Sequence, residues 1–98
     1  MEPEFSDDDL EQLATERDFT MGLPAGLVKA YRKRYHGILA AKDERDLYAM
    51  NSWRLEKLKG SRQHQHSMRL NDQYRLIIEI IGAGSEKRIR IVGIEDYH

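Results

Sequence analysis

The sequence predicts an α+β fold in which two helices precede a run of antiparallel strands. Three observations predict it. Apolar residues recur at helical spacing through the first half, at Leu27, Val28, Tyr31, Tyr35, Ile38 and Leu39. β-Branched and alternating runs fill the second half, the clearest being Tyr74 to Ile81. Short polar turns separate those runs, which implies antiparallel neighbours. The chain has 98 residues, so the expectation is a single domain, 1–98. Such a domain buries roughly 60–65% of the surface its unfolded chain exposes, enough for one modest core.

The elements follow in order. Residues 1–5 suit a short edge strand, because Pro3 is tolerated only at an edge. Ser6 or Asp7 caps a first helix read from Asp7 to Arg17, with acids crowding its first turn, where the helix dipole favours them. Asp18 to Leu23, with Gly22, is a connector. Pro24 opens a second helix that runs to Ala41, with Lys29, Arg32, Lys33 and Arg34 opposite its apolar stripe. Leu47 and Met50 suggest a short helical or turn segment broken at Asn51-Ser52. Trp53 to Leu58 reads as an imperfect strand and Gly60-Ser61 as a turn. Gln65 to Leu70 reads as a strand with His66, Met68 and Leu70 on one face. Asn71-Asp72 is a turn, Tyr74 to Ile81 the best strand, and Gly82 to Ser85 another turn. Arg88 to Ile94 alternates and closes at Gly93.

Composition narrows the chemistry. There is no cysteine, which excludes disulfides, a thiolate nucleophile and a cysteine zinc site. No apolar run approaches the length of a membrane span, and the start lacks the pattern of a signal peptide, so a cytoplasmic protein is the expectation. The net charge of −1 hides an uneven distribution. Residues 1–18 hold eight acids and one base, a charge of −7; the remaining 80 residues hold fifteen bases and nine acids, a charge of +6. A basic body suits a polyanionic partner, although an ordinary solvated surface gives the same count. An acidic N-terminal segment left mobile beside a basic cleft would screen it.

Three groups of residues carry candidate chemistry. The tail Asp96-Tyr97-His98 places a carboxylate, a phenol and an imidazole directly after a strand. These are proton-transfer groups, and the strand would hold down an end that otherwise frays. The second group is cationic: Lys57, Lys59, Arg62, Arg69 and Arg75. Arginine clamps phosphate through two donors, whereas most strand arginines merely face solvent. Arg75 stands apart, since it lies between Tyr74 and Leu76 in the most hydrophobic strand, where an unpaired charge is costly. The third group, His64-Gln65-His66, puts two imidazoles at strand spacing but offers no third ligand; a polar loop with one strand histidine is the simpler reading, and no metal is expected. Trp53, Tyr74 and Tyr97 are candidates for stacking on RNA bases or for core packing.

The stretch Arg54-Leu55-Glu56-Lys57-Leu58-Lys59-Gly60, followed by His66-Ser67-Met68-Arg69-Leu70-Asn71-Asp72-Gln73-Tyr74-Arg75, resembles the HigB branch of RelE-like toxins, and many of that branch finish in Asp-Tyr-His. The resemblance covers Arg54 to His98 by motif and residues 1–53 only in layout. It implies a helical hairpin packed on a twisted antiparallel sheet of three to five strands, similar to small microbial ribonucleases. It also implies a ribosome-dependent endoribonuclease that cuts messenger RNA in the A site by metal-free attack of the 2′-hydroxyl, with no cofactor. By that resemblance Asp96 and His98 transfer protons, Tyr97 positions or stacks the substrate, and Arg75 holds the scissile phosphate. Lys57, Lys59, Arg62, Arg69 and Asn71 would contact RNA. Some HigB toxins have a catalytic histidine where this chain has Glu56, and a carboxylate donates a proton only when its pKa is raised. The implied partners are a HigA-like helix-turn-helix antitoxin, the ribosome with its message, and operator DNA through the toxin–antitoxin complex.

Two other readings share the fold. A ParE-like toxin would inhibit DNA gyrase without cutting RNA. A module without activity would hold ribosomal RNA on its basic sheet, but it leaves the clustered proton-transfer groups without a role.

Overall fold

The outermost strand shows how the N-terminus is held. In the computed structural model, which describes residues 1–97, β1 (Glu2–Phe5) lies at one edge of a five-stranded sheet. The order is β1-β5-β4-β3-β2, with β2 at Glu56–Lys57, β3 at Gln65–Arg69, β4 at Tyr74–Ile81 and β5 at Arg88–Asp96. Pro3 sits in the edge strand, as expected. The sheet is mixed, however, because β1 runs parallel to β5 while the other pairs are antiparallel. The reason is connectivity: helices and three strands intervene between β1 and β5, and so long a crossover permits a parallel pair.

The acidic N-terminus is therefore built into the fold and is not a mobile screen. Glu4 pairs with Arg88 at 2.5 Å and Arg90 at 3.5 Å, and Arg90 also meets Glu79 at 3.4 Å. The Met1 amine donates to the carbonyl oxygens of Ile38 (2.8 Å) and Ala41. Those carbonyls close a helix C-terminus, where the dipole favours a cation.

Helix α1 (Asp8–Thr15) is capped by the Asp7 carboxylate, which accepts from Leu10 N at 2.9 Å. It stops two residues short of the predicted Arg17, and Arg32 from the next helix fills the exposed carbonyls. The Arg32 guanidinium donates to Leu13 O, Glu16 O, Arg17 O and Phe19 O at 2.8–3.2 Å. Helix α2 (Ala25–Ala40) starts after Pro24. Leu27, Val28, Tyr31 and Ile38 bury its apolar stripe, and the Tyr31 hydroxyl donates to Leu10 O at 2.7 Å. That burial raises the Tyr31 pKa above its ordinary value, with the Asp7 charge adding to it.

Two side chains of α2 depart from the helical stripe. Leu39 is 46% exposed, whereas Arg34, expected to face solvent, is buried. The backbone carbonyl of Arg69 accepts from Arg34 Nε (3.0 Å) and Nη2 (2.7 Å), and the guanidinium lies 4.8 Å from the Trp53 ring centroid. Hydrogen bonds and an aromatic face replace water around the charge. Burial still lowers the Arg34 pKa, and Arg69 lowers it further.

The segment after α2 differs most from the sequence reading. α3 (Glu44–Tyr48) is capped by Asp43 and ends before Asn51, as expected, and Asn51–Trp53 then form a separate 3-10 turn. Trp53 is thus buried in a turn, not in a strand, and Arg54 turns the chain in the left-handed region with φ 47°. Only Glu56–Lys57 remains of the predicted strand. Tertiary demand on Trp53, which packs against Gly37 of α2, overrides the local alternation.

A pH dependence arises at this corner. His66 on β3 stands opposite Lys57 and Ile78, facing α3, with its ring 6.3 Å from that of Tyr48. Its Nδ1 is buried without a hydrogen-bond partner. Desolvation lowers its pKa, Lys57 lowers it further, and Glu44 opposes both. The unfolded chain therefore binds the extra proton first as pH falls, so stability decreases below the ordinary imidazole value of about 6.5. Thermal melts between pH 7.5 and 5.5 should show a falling midpoint, flattened in His66→Gln. The lowered pKa values of Asp43, hydrogen-bonded to Arg45, and Glu44, hydrogen-bonded to Lys87, act in a more acidic window. An unchanged slope in the variant would remove His66 as the cause.

Candidate active site

All the helices pack on one face of the sheet, and the candidate site lies on the other. Strand alternation sorts the residues. On β4, Leu76 and Ile78 enter the core while Arg75 and Ile77 take the opposite face. On β3, Met68 faces the core and Ser67 faces outward beside Ile77. β5 would follow suit, but a bulge interrupts its pairing. Ile91 stands opposite Ile78 while Gly93 stands opposite Ile77, which leaves Val92 as the extra residue. Ile89, Ile91 and Ile94 therefore share the core side, and Glu95 lands directly opposite Arg75.

β5 does not end at Gly93 as the sequence reading has it; it continues to Asp96. Tyr97 N then donates to Gln73 O at 2.6 Å, which ties down the tail. The result is a cavity of about 240 Å³ lined by Leu58, Arg62, Ser67, Arg75, Ile77 and the 95–97 segment. Ile77 is buried in its floor, and Gly93 beside it adds no side chain.

Arg75 dominates this cavity. It is 9% exposed, its guanidinium carbon lies 4.2 Å from the Tyr97 ring centroid, and its Nη1 has no hydrogen-bond partner. Arg69 stands directly across from it on β3, a like-charge juxtaposition that is ordinarily unfavourable. The Asp72 carboxylate accepts from Arg69 in the adjoining turn and relieves part of that repulsion. Across the cavity mouth Arg62 forms a two-pronged pair with Glu95, Nη1 to Oε1 at 3.0 Å and Nη2 to Oε2 at 2.7 Å, while its Nε donates to Gln65 at 3.0 Å. Both partners are nearly half exposed, so the pair adds little stability. Its consequence is positional: it bridges the turn before β3 to the end of β5. The Arg62 pKa is raised by the Glu95 hydrogen bond.

The other residues singled out in the sequence fall in different places. Asp96 borders the cavity but pairs in register with Tyr74, on the opposite side of β5 from Glu95, and its Oδ2 accepts from Gln73 Nε2 at 3.0 Å. Glu56 stands beside Ser67 on the outer face and is exposed. Lys57 faces the other way, beside His66. Lys59 precedes the 3-10 turn Gly60–Arg62 and does not line the cavity. The Asn71 side chain is occupied in the β3–β4 turn, accepting from Gln73 N and Tyr74 N. His64 lies in the turn before β3, 3.7 Å from Glu79, and so does not share the His66 environment. His98 lies outside the described residues. Ser67 and Ile77 are additions, which alternation about Met68 and Leu76 could have placed. Glu95 belongs to the C-terminal run that the sequence marks as the end of the active site, but its place opposite Arg75 needed knowledge of the bulge.

A family model described as RelE-like toxin of type II toxin-antitoxin system HigB matches residues 3–91. The match includes Arg75 and Glu56 and stops before the 95–98 tail. No curated protein sequence matches the chain. Among solved structures, a YoeB/ParE toxin from Agrobacterium tumefaciens is similar with a TM-score of 0.65 and 17% identity, covering 100% of each chain. At that identity the likeness is one of fold.

Proposed function

The chain belongs to the HigB-like family, the RelE-like toxins of type II toxin–antitoxin systems, and from that premise we propose that it is a ribosome-dependent endoribonuclease that cuts messenger RNA in the A site. The observation that carries the reading is Arg75, a nearly buried guanidinium with an unfilled donor at a cavity wall and an aromatic ring stacked on it. Such a donor suits a phosphate, whose oxygens accept charge-assisted hydrogen bonds. The proposed step is attack of an RNA 2′-hydroxyl on the adjacent phosphorus, with loss of the 5′-oxygen of the next nucleotide. One group accepts the hydroxyl proton, another protonates the leaving oxygen, and Arg75 holds the charge that develops between them. Asp96 and His98 are the proposed proton-transfer groups, with Tyr97 as the stacking surface. Glu95 and Glu56 are further carboxylates on the same face of the sheet. Arg69 and Arg62 add positive charge around the entering backbone, with Lys59 further along it.

A type II toxin implies an antitoxin, and we propose a HigA-like helix-turn-helix protein through which the complex binds operator DNA. No helix among the described residues is long and apolar enough to cross a membrane, in keeping with a proposed cytoplasmic site of action. The test is expression of the chain followed by mapping of message ends. Growth arrest with cleaved messages in translating reactions, and intact RNA in the same reactions without ribosomes, is the expected result. DNA breaks linked to gyrase, with messages intact, would overturn the reading.

A further inference from the structure

Four buried side-chain atoms among the described residues have no hydrogen-bond partner, and two of them belong to residues that line the same cavity. One is Arg75 Nη1. The other is Ser67 Oγ, on a residue only 1% exposed. Ser67 pairs in register with Ile77, two residues along β4 from Arg75 and on the same face of the sheet, so the two side chains are diagonal neighbours. A serine hydroxyl and an arginine nitrogen left unfilled on one wall both lack an acceptor. A phosphoryl group offers several acceptor oxygens at once.

We propose that Ser67 and Arg75 form a seat for one phosphoryl group, with Tyr97 as its movable cover. The inference deepens the nuclease reading by adding Ser67 as a substrate-binding residue. Both atoms are closed off from solvent, so the seat fills only when a wall moves. Tyr97 is the wall element best placed to do so: its ring is stacked on Arg75, yet the residue is 56% exposed. When the ring swings aside, the hydroxyl donates to one phosphoryl oxygen and the guanidinium to another. The displaced ring is then free to stack on a neighbouring base.

Ser67→Ala separates this role from a structural one, because the two predict opposite signs. A buried hydroxyl without a partner destabilises the folded chain, so its removal should raise the melting midpoint by roughly 4 °C. The same change should weaken phosphoryl binding by about tenfold, the effect of one hydrogen bond to a charged group. The probes are inorganic phosphate and a short single-stranded oligodeoxynucleotide, which lacks the 2′-hydroxyl and cannot be cut by the proposed step, titrated into the full chain by calorimetry and NMR. Both should bind the wild type; a response to the oligonucleotide alone would mean that the seat takes phosphodiesters and not the free ion. Unweakened binding by Ser67→Ala, a lowered melting midpoint, or no binding of either probe to the wild type would each overturn the seat. Seat binding that Ser67→Ala weakens, in a wild type that cuts no message, would sink the nuclease reading and leave the seat. Message cleavage that Ser67→Ala leaves unchanged would do the reverse.

Discussion

Arg75→Ala is expected to lower message cleavage by roughly 10²–10³-fold, the loss seen when one donor aimed at developing charge is removed. Arg75 is the guanidinium whose surroundings leave a donor open to an anion. It faces Arg69 across the strands, stacks on Tyr97 and keeps an unfilled Nη1. Charge alone should not rescue it. Arg75→Lys keeps the cation but loses the planar fork that holds two oxygens and stacks on the ring. Loss of folding is the obvious confounder, and Arg75→Met addresses it. Replacing a buried, poorly paired charge with an apolar side chain of similar length is often neutral or stabilising. Arg75→Met should therefore melt no lower than the wild type, yet fail to arrest growth. Cleavage within threefold of wild type in both Arg75→Ala and Arg75→Met would falsify the assignment.

The largest effect on stability is expected far from the site, at Gly37. A Cβ built there meets Trp53 Cη2 at 2.0 Å and Cζ3 at 2.7 Å, so α2 and the 3-10 turn touch through the missing side chain. Trp53 is buried and has the Arg34 guanidinium against its ring, which leaves it little room to retreat. Alanine is the better helix former by about 1 kcal/mol, and that gain opposes the clash. Overpacking of this kind costs about 3 kcal/mol when a rigid ring must shift. Gly37→Ala should therefore destabilise the fold by about 2 kcal/mol and lower the melting midpoint by roughly 10 °C. A smaller partner should relieve it: Gly37→Ala combined with Trp53→Leu should lose less than the two single changes summed. Strict additivity would mean that the two residues do not press on one another.

Much of this molecule was legible locally. Asp7 capped a helix, Pro24 preceded one, and the run Tyr74–Ile81 was a strand at both predicted ends. Arg75 was legible as an anomaly, since a charge amid apolar strand residues is costly unless something uses it. The motif from Arg54 to Arg75 pointed to the toxin family, and residues 3–91 match it.

Tertiary structure decided the rest, because the deciding contacts were between residues far apart in the chain. Arg34 and Arg32 carry charges that a helical stripe assigns to solvent, but one found the Arg69 carbonyl and the other the carbonyls closing α1. Trp53 belonged to a turn because Gly37 offered it a space. The tail turned on the bulge in β5. Strand alternation alone puts Asp96 on the outward face and Glu95 inward, with Ile89 and Ile91. Val92, the one unpaired residue, reverses that order and sets Glu95 opposite Arg75. No propensity at Val92 or Gly93 announces it. A bulge forms where the pairing of both strands requires it, and that requirement exists only once β4 and β5 lie side by side.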